Sequence, residues 1–308
     1  MISFLHATVQ AGTALLLATL GEIITQKVGH LNLGVEGMML MGAVMGFMVG
    51  FNTANPIMAI LTAAIAGATG ALIYAFLTVT LKANQEVTGL TLTTFGAGFA
   101  TFVGDKLVGF KLPGEINHFF RQISLPVLAD IPVIGEMFFN QNIYVYMSYA
   151  IVVLLGILLY KTNIGLNLRM IGENAGAADA SGINVLKYKY GFIMLGGALC
   201  GLGGGYLSLV YVPVWQEGIT AGMGWIAVAL VIFSLWNPYR AIGGAYFFGG
   251  LSIIGFRLQK YSLPISIYFL DMLPYLATIV VLIFMSLKKS KENKPPNELS
   301  RAYFREER

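Results

Sequence analysis

The sequence has little charge and few residues that bind metals or form disulfides. Charged residues make up 11% of the 308 positions, whereas a soluble domain carries about 25%. The chain has one cysteine, Cys200, in an apolar run, and three histidines that lack metal-ligand spacing. A lone cysteine cannot form a disulfide within the chain. The low charge argues against a soluble protein, and the scarcity of ligands predicts neither a metal site nor a cofactor.

The sequence also lacks the groups that an enzyme needs. It has no GxxxxGK[ST] phosphate-binding loop, so we do not expect it to hydrolyse ATP. It has no HExxH motif, and its His, Asp, Glu and Cys residues do not converge in any stretch. We therefore predict that the protein is not an enzyme and that any energy it uses comes from a partner.

Long apolar stretches dominate what is present. Hydrophobic residues make up 56% of the chain, and the mean hydropathy is +0.73. A helix that crosses the hydrocarbon core needs about 20 predominantly apolar residues. Nine stretches reach or approach this length: 5–26, 33–51, 56–81, 88–104, 141–160, 186–211, 222–236, 241–258 and 271–287. The sequence thus predicts an all-α, polytopic membrane helical bundle over residues 1–287. The seventh and eighth stretches are short and are separated by Asn237-Pro238, so their full crossing stays open.

The lysines and arginines indicate an orientation for these spans. One side of the nine-span topology holds fourteen of the nineteen: Lys27, Lys82, Lys161, Arg169, Lys187, Lys189, Arg240, Lys288, Lys289, Lys291, Lys294, Arg301, Arg305 and Arg308. The other side holds Lys106, Lys111, Arg121, Arg257 and Lys260. Because cytoplasmic loops carry the excess of Lys and Arg, we expect the N-terminus outside and the C-terminus in the cytoplasm. The net charge of +4 follows from this topology, and no nucleic-acid partner is predicted.

Two connecting regions follow from this orientation. The connection 105–140 would lie outside the cell, and the tail 288–308 would lie in the cytoplasm. The tail is charged and contains prolines, a composition typical of disorder.

The segment 165–184 is too polar to span and too regular for an unstructured loop. Asn174 is a good N-cap and Gly182 a good residue to follow a helix, with an alanine-rich stretch between them. Ala177, Ala178 and Ser181 are predicted to share one face of this short helix. Such a face of small side chains suits a docking partner, although an ordinary cytoplasmic loop is the alternative.

Four stretches in the same order resemble the permease subunits of ATP-binding-cassette importers for ribose, branched-chain amino acids and nucleosides. They are GHLNLGVEGMMLMGA at 29–43, NQEVTGLTLT at 84–93, TAGMGWIAVAL at 220–230 and LPYLAT at 273–278. The chain is most similar to the shorter permease of nucleoside, or simple-sugar, importers. It departs from that pattern at Met223, where Arg is expected, and at Ala175-Gly176, where Pro-Ala is expected.

This resemblance implies a permease subunit in the bacterial inner membrane that moves a small neutral solute, a nucleoside first, into the cytoplasm. A sugar such as ribose or galactose is the alternative, and a stand-alone secondary carrier is a further one. The implied partners are a cytoplasmic ATP-binding-cassette ATPase, a second and longer permease, and an extracytoplasmic substrate-binding protein. The segment 165–184 would then couple the permease to the ATPase. Its candidate residues are Arg169, Glu173, Ala177, Ala178, Ser181 and Gly182.

Five residues are candidates for the substrate pathway: Glu36, Thr91, Thr94, Phe95 and Trp225. Each also has a structural interpretation. Glu36 lies near the start of a span, where a negative charge suits the helix dipole. Threonines in membrane helices often bond back to their own backbone. Trp225 lies near the end of a span and suits an interface anchor.

Overall fold

The computed structural model describes residues 2–126, 128–129, 131–259, 267–287 and 294–304. Its helices are α1 (Ile2–Lys27), α2 (Val35–Thr53), α3 (Pro56–Ala75), α4 (Gln85–Gly104), α5 (Gly114–Phe119), α6 (Ile134–Phe138), α7 (Ile143–Lys161), α8 (Asn163–Glu173), α9 (Ala175–Ala180), α10 (Val185–Tyr206), α11 (Met223–Phe233), α12 (Pro238–Gln259) and α13 (Ile267–Leu287). Two short strands, β1 (Gln122–Ser124) and β2 (Asn140–Asn142), pair antiparallel within the connection 105–140. Each of the nine apolar stretches corresponds to a helix.

Six helical segments in the described part of the chain are long and apolar enough to cross a membrane. They are Ser3–Lys27, Val35–Thr53, Pro56–Thr80, Gln85–Leu107, Ile143–Lys161 and Val185–Tyr211. By contrast, α11 has only 11 residues and rises about 16 Å, which is roughly half of the hydrocarbon thickness. The mainly helical membrane fold is therefore confirmed, while the count of nine spans stays a prediction.

Asparagine side chains begin several helices where the sequence turns from polar to apolar. The Oδ1 atoms of Asn84, Asn142 and Asn184 each accept a hydrogen bond from a backbone N–H in the first turn of α4, α7 and α10. This contact satisfies a donor that has no partner inside the helix. Asn55 does the same for α3, with Pro56 in the first turn.

The Asn237-Pro238 pair separates two helices, as the sequence predicts. The short helix α11 ends at Phe233, and α12 begins at Pro238. The indole of Trp236 in the intervening turn donates to Oε1 of Gln26 at 2.7 Å. Gln26 in turn donates to Oε1 of Glu22 at 2.8 Å. This buried chain of hydrogen bonds fixes the α11–α12 turn against α1.

Helices α1, α2, α3 and α10 form the core, and glycines let their backbones approach closely. A Cβ atom at Gly67 of α3 would meet the carbonyl oxygen of Gly197 on α10. A Cβ atom at Gly42 of α2 would likewise meet the backbone of Gly201. Such small-residue contacts hold helices together in lipid by close packing and not by the hydrophobic effect.

Two core helices end in a wider turn. A π-helical turn, Phe76–Thr80, follows α3, and a second, Leu207–Tyr211, follows α10. In a π-turn the backbone bonds run from residue i to i+5, which adds one residue to the turn of an α-helix.

The two ends of the bundle differ in charge. Lys27 ends α1, Lys161 ends α7, and Lys187 lies in the first turn of α10. We call this the lysine-rich end; α8, α9 and the tail residues 294–304 also lie here. At the opposite end, Arg257 packs over the ring of Phe4 at the start of α1. The predicted grouping holds for these cations, whereas Lys260, Lys288, Lys289, Lys291, Arg305 and Arg308 lie outside the described residues.

Candidate functional site

The predicted short helix of the segment 165–184 is α9, at the lysine-rich end. Oδ1 of Asn174 accepts a hydrogen bond from the backbone N–H of Ala177 at 2.8 Å, which begins the helix. The helix ends at Ala180, and Gly182 follows with a φ of +84°. A left-handed glycine is the usual means of ending a helix. Both local predictions, the N-cap and the terminating glycine, are confirmed.

The exposed face of α9 differs from the predicted one at a single residue. Ala177 and Ser181 are exposed, as is the neighbouring Ala180. Ala178, in contrast, is completely buried, because α9 packs on α8 and α10. Consecutive helical residues point about 100° apart, so Ala177 is exposed while Ala178 points into the protein. We define the docking face as Ala177, Ala180 and Ser181, with Gly182 exposed beside it.

Arg169 and Glu173 lie four residues apart on α8, but each has another partner. The guanidinium of Arg169 lies 5.8 Å from the centre of the Tyr160 ring. Oε2 of Glu173 accepts a hydrogen bond from the Asn297 side chain at 2.8 Å. Both residues therefore position the segment, one against α7 and one against the C-terminal tail.

The tail residues 294–304, which the composition predicts to be disordered, pack on this segment. The backbone N–H of Glu298 donates to the carbonyl of Gly172 at 2.9 Å, and the hydroxyl of Tyr303 donates to Asp179 at 2.8 Å. A cavity of about 470 Å³ opens here between Gly182, Leu186, Tyr303 and other residues. Partial burial at this surface lowers the pKa of Lys82 from its ordinary value.

Glu36 holds the start of α11. Its Oε1 atom accepts hydrogen bonds from the hydroxyl of Thr220 and from the backbone N–H of Gly222, the latter at 2.9 Å. Its Oε2 atom accepts from the backbone N–H of Gly224 at 2.6 Å. The side chain is only 7% exposed. A carboxylate placed on the free N–H groups of a helix start stabilises that start, so its structural interpretation fits the geometry. The helix it serves is, however, α11 and not its own.

The chain before α11 forms part of the wall of a cavity. Trp215 is buried and packs against Phe47 of α2, with ring centres 5.7 Å apart. The exposed residues Glu217 and Gly218 follow it. Together with side chains of α2 and α4, this stretch encloses a half-open cavity of about 360 Å³, which we call the lateral cavity. Its lining consists of Leu40, Ala97, Ala100, Thr101, Trp215, Glu217 and Gly218.

Of the predicted pathway residues on α4, none lines the lateral cavity. Thr91 and Phe95 line a separate groove of about 150 Å³ beside α3. The exposed surface of this groove is apolar. The hydroxyl of Thr91 donates to the Val87 carbonyl at 2.9 Å, and that of Thr94 donates to the Leu90 carbonyl at 3.4 Å. Both threonines thus bond back to their own helix, as the structural interpretation expects. Thr94 is exposed and lies about two turns before Thr101, on the same side of α4.

Trp225 lies in the first turn of α11 and is 38% exposed. Its ring lies close to Gly222, and the hydroxyl of Tyr275 in α13 lies close to the same glycine. That hydroxyl donates to the Ala221 carbonyl at 3.1 Å. Trp225 therefore lies beside the segment that Glu36 holds, outside the lateral cavity.

Sequence reasoning missed Thr101, Glu217 and the tail. Thr101 lies in a predicted span, but only the rotation of α4 shows that it faces a cavity. Glu217 lies in a polar gap between two apolar stretches, where an exposed loop carboxylate is the ordinary expectation. The tail has contacts that depend on distant residues, and its composition carries no signal for them.

Comparison with known proteins gives consistent matches along the chain. The sequence profile of the family described as "Branched-chain amino acid transport system / permease component" matches residues 4–286. A proposed glucose ABC transporter permease, TsgC13 of Haloferax volcanii, is 38% identical over 98% of this chain and 97% of that protein. The guanosine ABC transporter permease NupQ of Bacillus subtilis is 34% identical over 90% of this chain and 89% of its own.

Two further matches concern a nucleoside permease and a solved structure. The nucleoside ABC transporter permease NupC of Lactococcus lactis is 34% identical, covering 88% of each chain. A solved structure of a proposed metal-chelate type ABC transporter, in an inward-facing conformation, aligns with a TM-score of 0.54 and 12% identity. It covers 92% of this chain and 85% of that one. At that identity the structural likeness concerns the fold alone.

Proposed function

The chain belongs to the permease family of branched-chain amino acid transport systems, and on that premise we propose that it is one of two different membrane-spanning subunits of a nucleoside importer. Family membership makes it a multi-pass membrane protein and the permease subunit of an ABC importer for a nucleoside or a sugar. Such a subunit is not itself an enzyme. The substrate, the partners and the orientation are the parts that we propose.

The names of two relatives carry the nucleoside assignment. NupQ and NupC, each 34% identical along most of the chain, are named for guanosine and for nucleosides. The lateral cavity agrees with a neutral polar solute, since it combines apolar side chains with the Thr101 hydroxyl and the Glu217 carboxylate. A sugar is the second candidate, and the 38% identity to TsgC13 favours it.

The energy for import would come from a cytoplasmic ATP-binding-cassette ATPase that binds α9. The docking face, Ala177, Ala180 and Ser181, carries small side chains, so a partner surface can approach the helix closely. Gly182 continues this exposed surface. In this arrangement Arg169 and Glu173 act by positioning α8 and not by touching the ATPase.

A second, longer permease would close the lateral cavity. The cavity has walls from α2, α4 and the chain before α11, and it is half open. A solute passing it would need an opposite wall, which we assign to a different permease subunit. An extracytoplasmic binding protein would deliver the solute to that pair.

The proposed orientation follows the charge of the two ends. The lysine-rich end, with Lys27, Lys82 and Lys161, would face the cytoplasm under the positive-inside rule. The N-terminus would then lie outside, and nine membrane-spanning segments would include the shorter α11. In a bacterium this places the protein in the inner membrane.

Reconstitution in liposomes tests the proposal. The complete set contains this chain, the second permease, the ATPase and the binding protein, with ATP supplied on the ATPase side. We expect uptake of labelled guanosine in excess of labelled glucose, and no uptake when either permease is left out. Equal ATPase loading in all samples is the control.

Each failure in this experiment has a distinct meaning. Uptake of glucose but not of guanosine would replace the nucleoside by a sugar. Full uptake with this permease, the ATPase and the binding protein alone would mean a pair of identical permeases and would contradict the two-subunit assignment. Uptake without any ATPase would refute the importer assignment and favour a secondary carrier.

A further inference from the structure

The C-terminal tail is attached first to the end of α8. The backbone N–H of Glu298 donates to the Gly172 carbonyl at 2.9 Å, and the side-chain amide of Asn297 donates to Glu173 at 2.8 Å. Pro296 is buried, and its Cβ atom lies beside Gly172. Two consecutive prolines, Pro295 and Pro296, limit the freedom of the unbound tail, which lowers the entropy lost on docking.

A second attachment joins the tail to α9 and α10. The hydroxyl of Tyr303 donates to Oδ2 of Asp179, in α9, at 2.8 Å. The ring of the same tyrosine lies 5.7 Å from Nζ of Lys189, in α10. Lys189 is only 2% exposed, although an ammonium group is rarely buried without a partner. The tyrosine ring thus covers a cation and contacts the docking helix at the same time.

A third attachment joins the tail to the start of α4. The side chain of Gln85 donates to the carbonyl of Arg301 at 3.3 Å and accepts from the Leu31 backbone N–H at 2.8 Å. The hydroxyl of Ser300 donates to Glu86 at 3.4 Å. Gln85 and Glu86 both lie in the first turn of α4. This helix also contains Thr101 and forms one wall of the lateral cavity.

From these three attachments we propose that residues 294–304 act as a strap that transmits movement of the docking helix α9 to the pathway helix α4. In the main body of the fold α9 packs chiefly on α8 and α10, whereas α4 packs chiefly on α2. The strap contacts both α9 and α4 within eleven residues of chain. Tyr303, Asn297 and Ser300 are positioning residues in this arrangement, since none of them reaches the lateral cavity.

Hydrogen-bonded turns restrain the backbone of the strap. Two backbone hydrogen bonds close turns inside it, from Leu299 to the Pro296 carbonyl and from Arg301 to the Glu298 carbonyl, each at 3.1 Å. Ser300, at the end of a turn, has a φ of +64°, in the left-handed region. Because the strap has fixed turns and is bonded to both helices, a displacement of α9 can displace α4, which a flexible chain would not achieve.

The inference rests on the proposed import function, and its test uses the complete reconstituted importer. The variants are Tyr303→Phe, which keeps the ring over Lys189 but loses the bond to Asp179, and Asn297→Ala together with Tyr303→Phe. The matched control is Ala302→Ser, because Ala302 is exposed between two strap residues. For each protein one measures guanosine imported per ATP hydrolysed, and the rate at which trypsin cleaves the tail.

Each lost hydrogen bond to a charged group should weaken docking of the tail by about tenfold. We expect faster cleavage and a several-fold fall in import per ATP for the double variant, with an intermediate effect for Tyr303→Phe and none for the control. Because Tyr303→Phe removes one hydroxyl only, it gives a result even if the double variant does not fold. A purely structural role would lower the yield of folded protein and leave import per ATP unchanged.

Two results would overturn the proposal that the tail links α9 to α4. The first is a tail that is cleaved faster while import per ATP stays at the wild-type value. The second is a variant that no longer co-purifies with the ATPase, which would make the tail part of the ATPase-binding surface and not a link to α4. If the wild-type assembly itself fails to import, it is the proposed function that fails, so the two failures are distinguishable.

Discussion

Replacing Glu36 by glutamine should loosen the start of α11 without unfolding the protein. The carboxylate accepts three hydrogen bonds, from Thr220, Gly222 and Gly224. Glutamine keeps the shape but puts an amide NH₂ where one oxygen was, so at least one of these donors faces another donor. The loss of a bond to a charged group costs about 1.5–3 kcal/mol. Loss of the charge at a helix start adds about 0.3–1 kcal/mol.

The sum is roughly 2–4 kcal/mol. It raises the population of molecules in which the segment bonded to Glu36 is detached from α2 by roughly 30- to 700-fold. A cysteine at Ile219, which is 7% exposed in the same segment, reports that population through its rate of maleimide labelling. The background is Cys200→Ser, because Cys200 is the sole native cysteine. The matched control is Glu115→Gln, an exposed glutamate in the first turn of α5.

We expect labelling of Ile219→Cys to speed up by at least about 30-fold in Glu36→Gln and to stay unchanged in Glu115→Gln. A rate within twofold of the control, at the same folded yield, would show that these three hydrogen bonds do not hold the segment. In that case the acidic side chain would have to be explained by contact with the solute.

Three further outcomes are expected. In a Cys200→Ser background, a membrane-impermeant thiol reagent should label Gly114→Cys but not Ser181→Cys in intact cells; the reverse pattern would invert the proposed orientation. Ala177→Glu should keep the folded yield but lose co-purification with the ATPase, because a clash or an unpaired charge in the interface costs about 2–5 kcal/mol. Ala178→Glu, at a completely buried position, should instead lower the yield of folded protein. Equal yields of the two variants would contradict the assigned docking face. Thr101→Val and Glu217→Gln should each lower uptake several-fold. The control Thr91→Val, in the apolar groove beside α3, should leave uptake unchanged. Equal uptake by all three variants would show that the lateral cavity is not part of the substrate pathway.

Hydropathy and local capping rules were enough to place the helices. The stretch 141–160 is α7 at Ile143–Lys161, and 186–211 is α10 with its π-turn. Asn174 and Gly182 begin and end α9 as their residue types indicate. These features depend on residues close together in the chain, so sequence carries them directly.

Features that depend on distant residues could not be read in the same way. The sequence predicts that Glu36 lies at a helix start, but the donors it meets are 184 or more positions away. Thr91 and Thr101 look alike in sequence, yet the rotation of α4 puts one in an apolar groove and the other in the lateral cavity. The polar tail fits the composition of disorder, but its docking depends on Gly172, Asp179 and Gln85, which only the fold brings together.

The π-turns that follow α3 and α10 have a consequence for how this chain can change in length during evolution. Removing one residue from Phe76–Thr80 or Leu207–Tyr211 lets the remainder wind as an ordinary α-helix, so little else must move. Removing one residue near Gly67 or Gly197 would instead rotate every later side chain of that helix by about 100° and separate the glycines from their partners. Length differences among relatives within these two helices should therefore fall at the π-turns, and gaps in the glycine-lined middle would contradict this view.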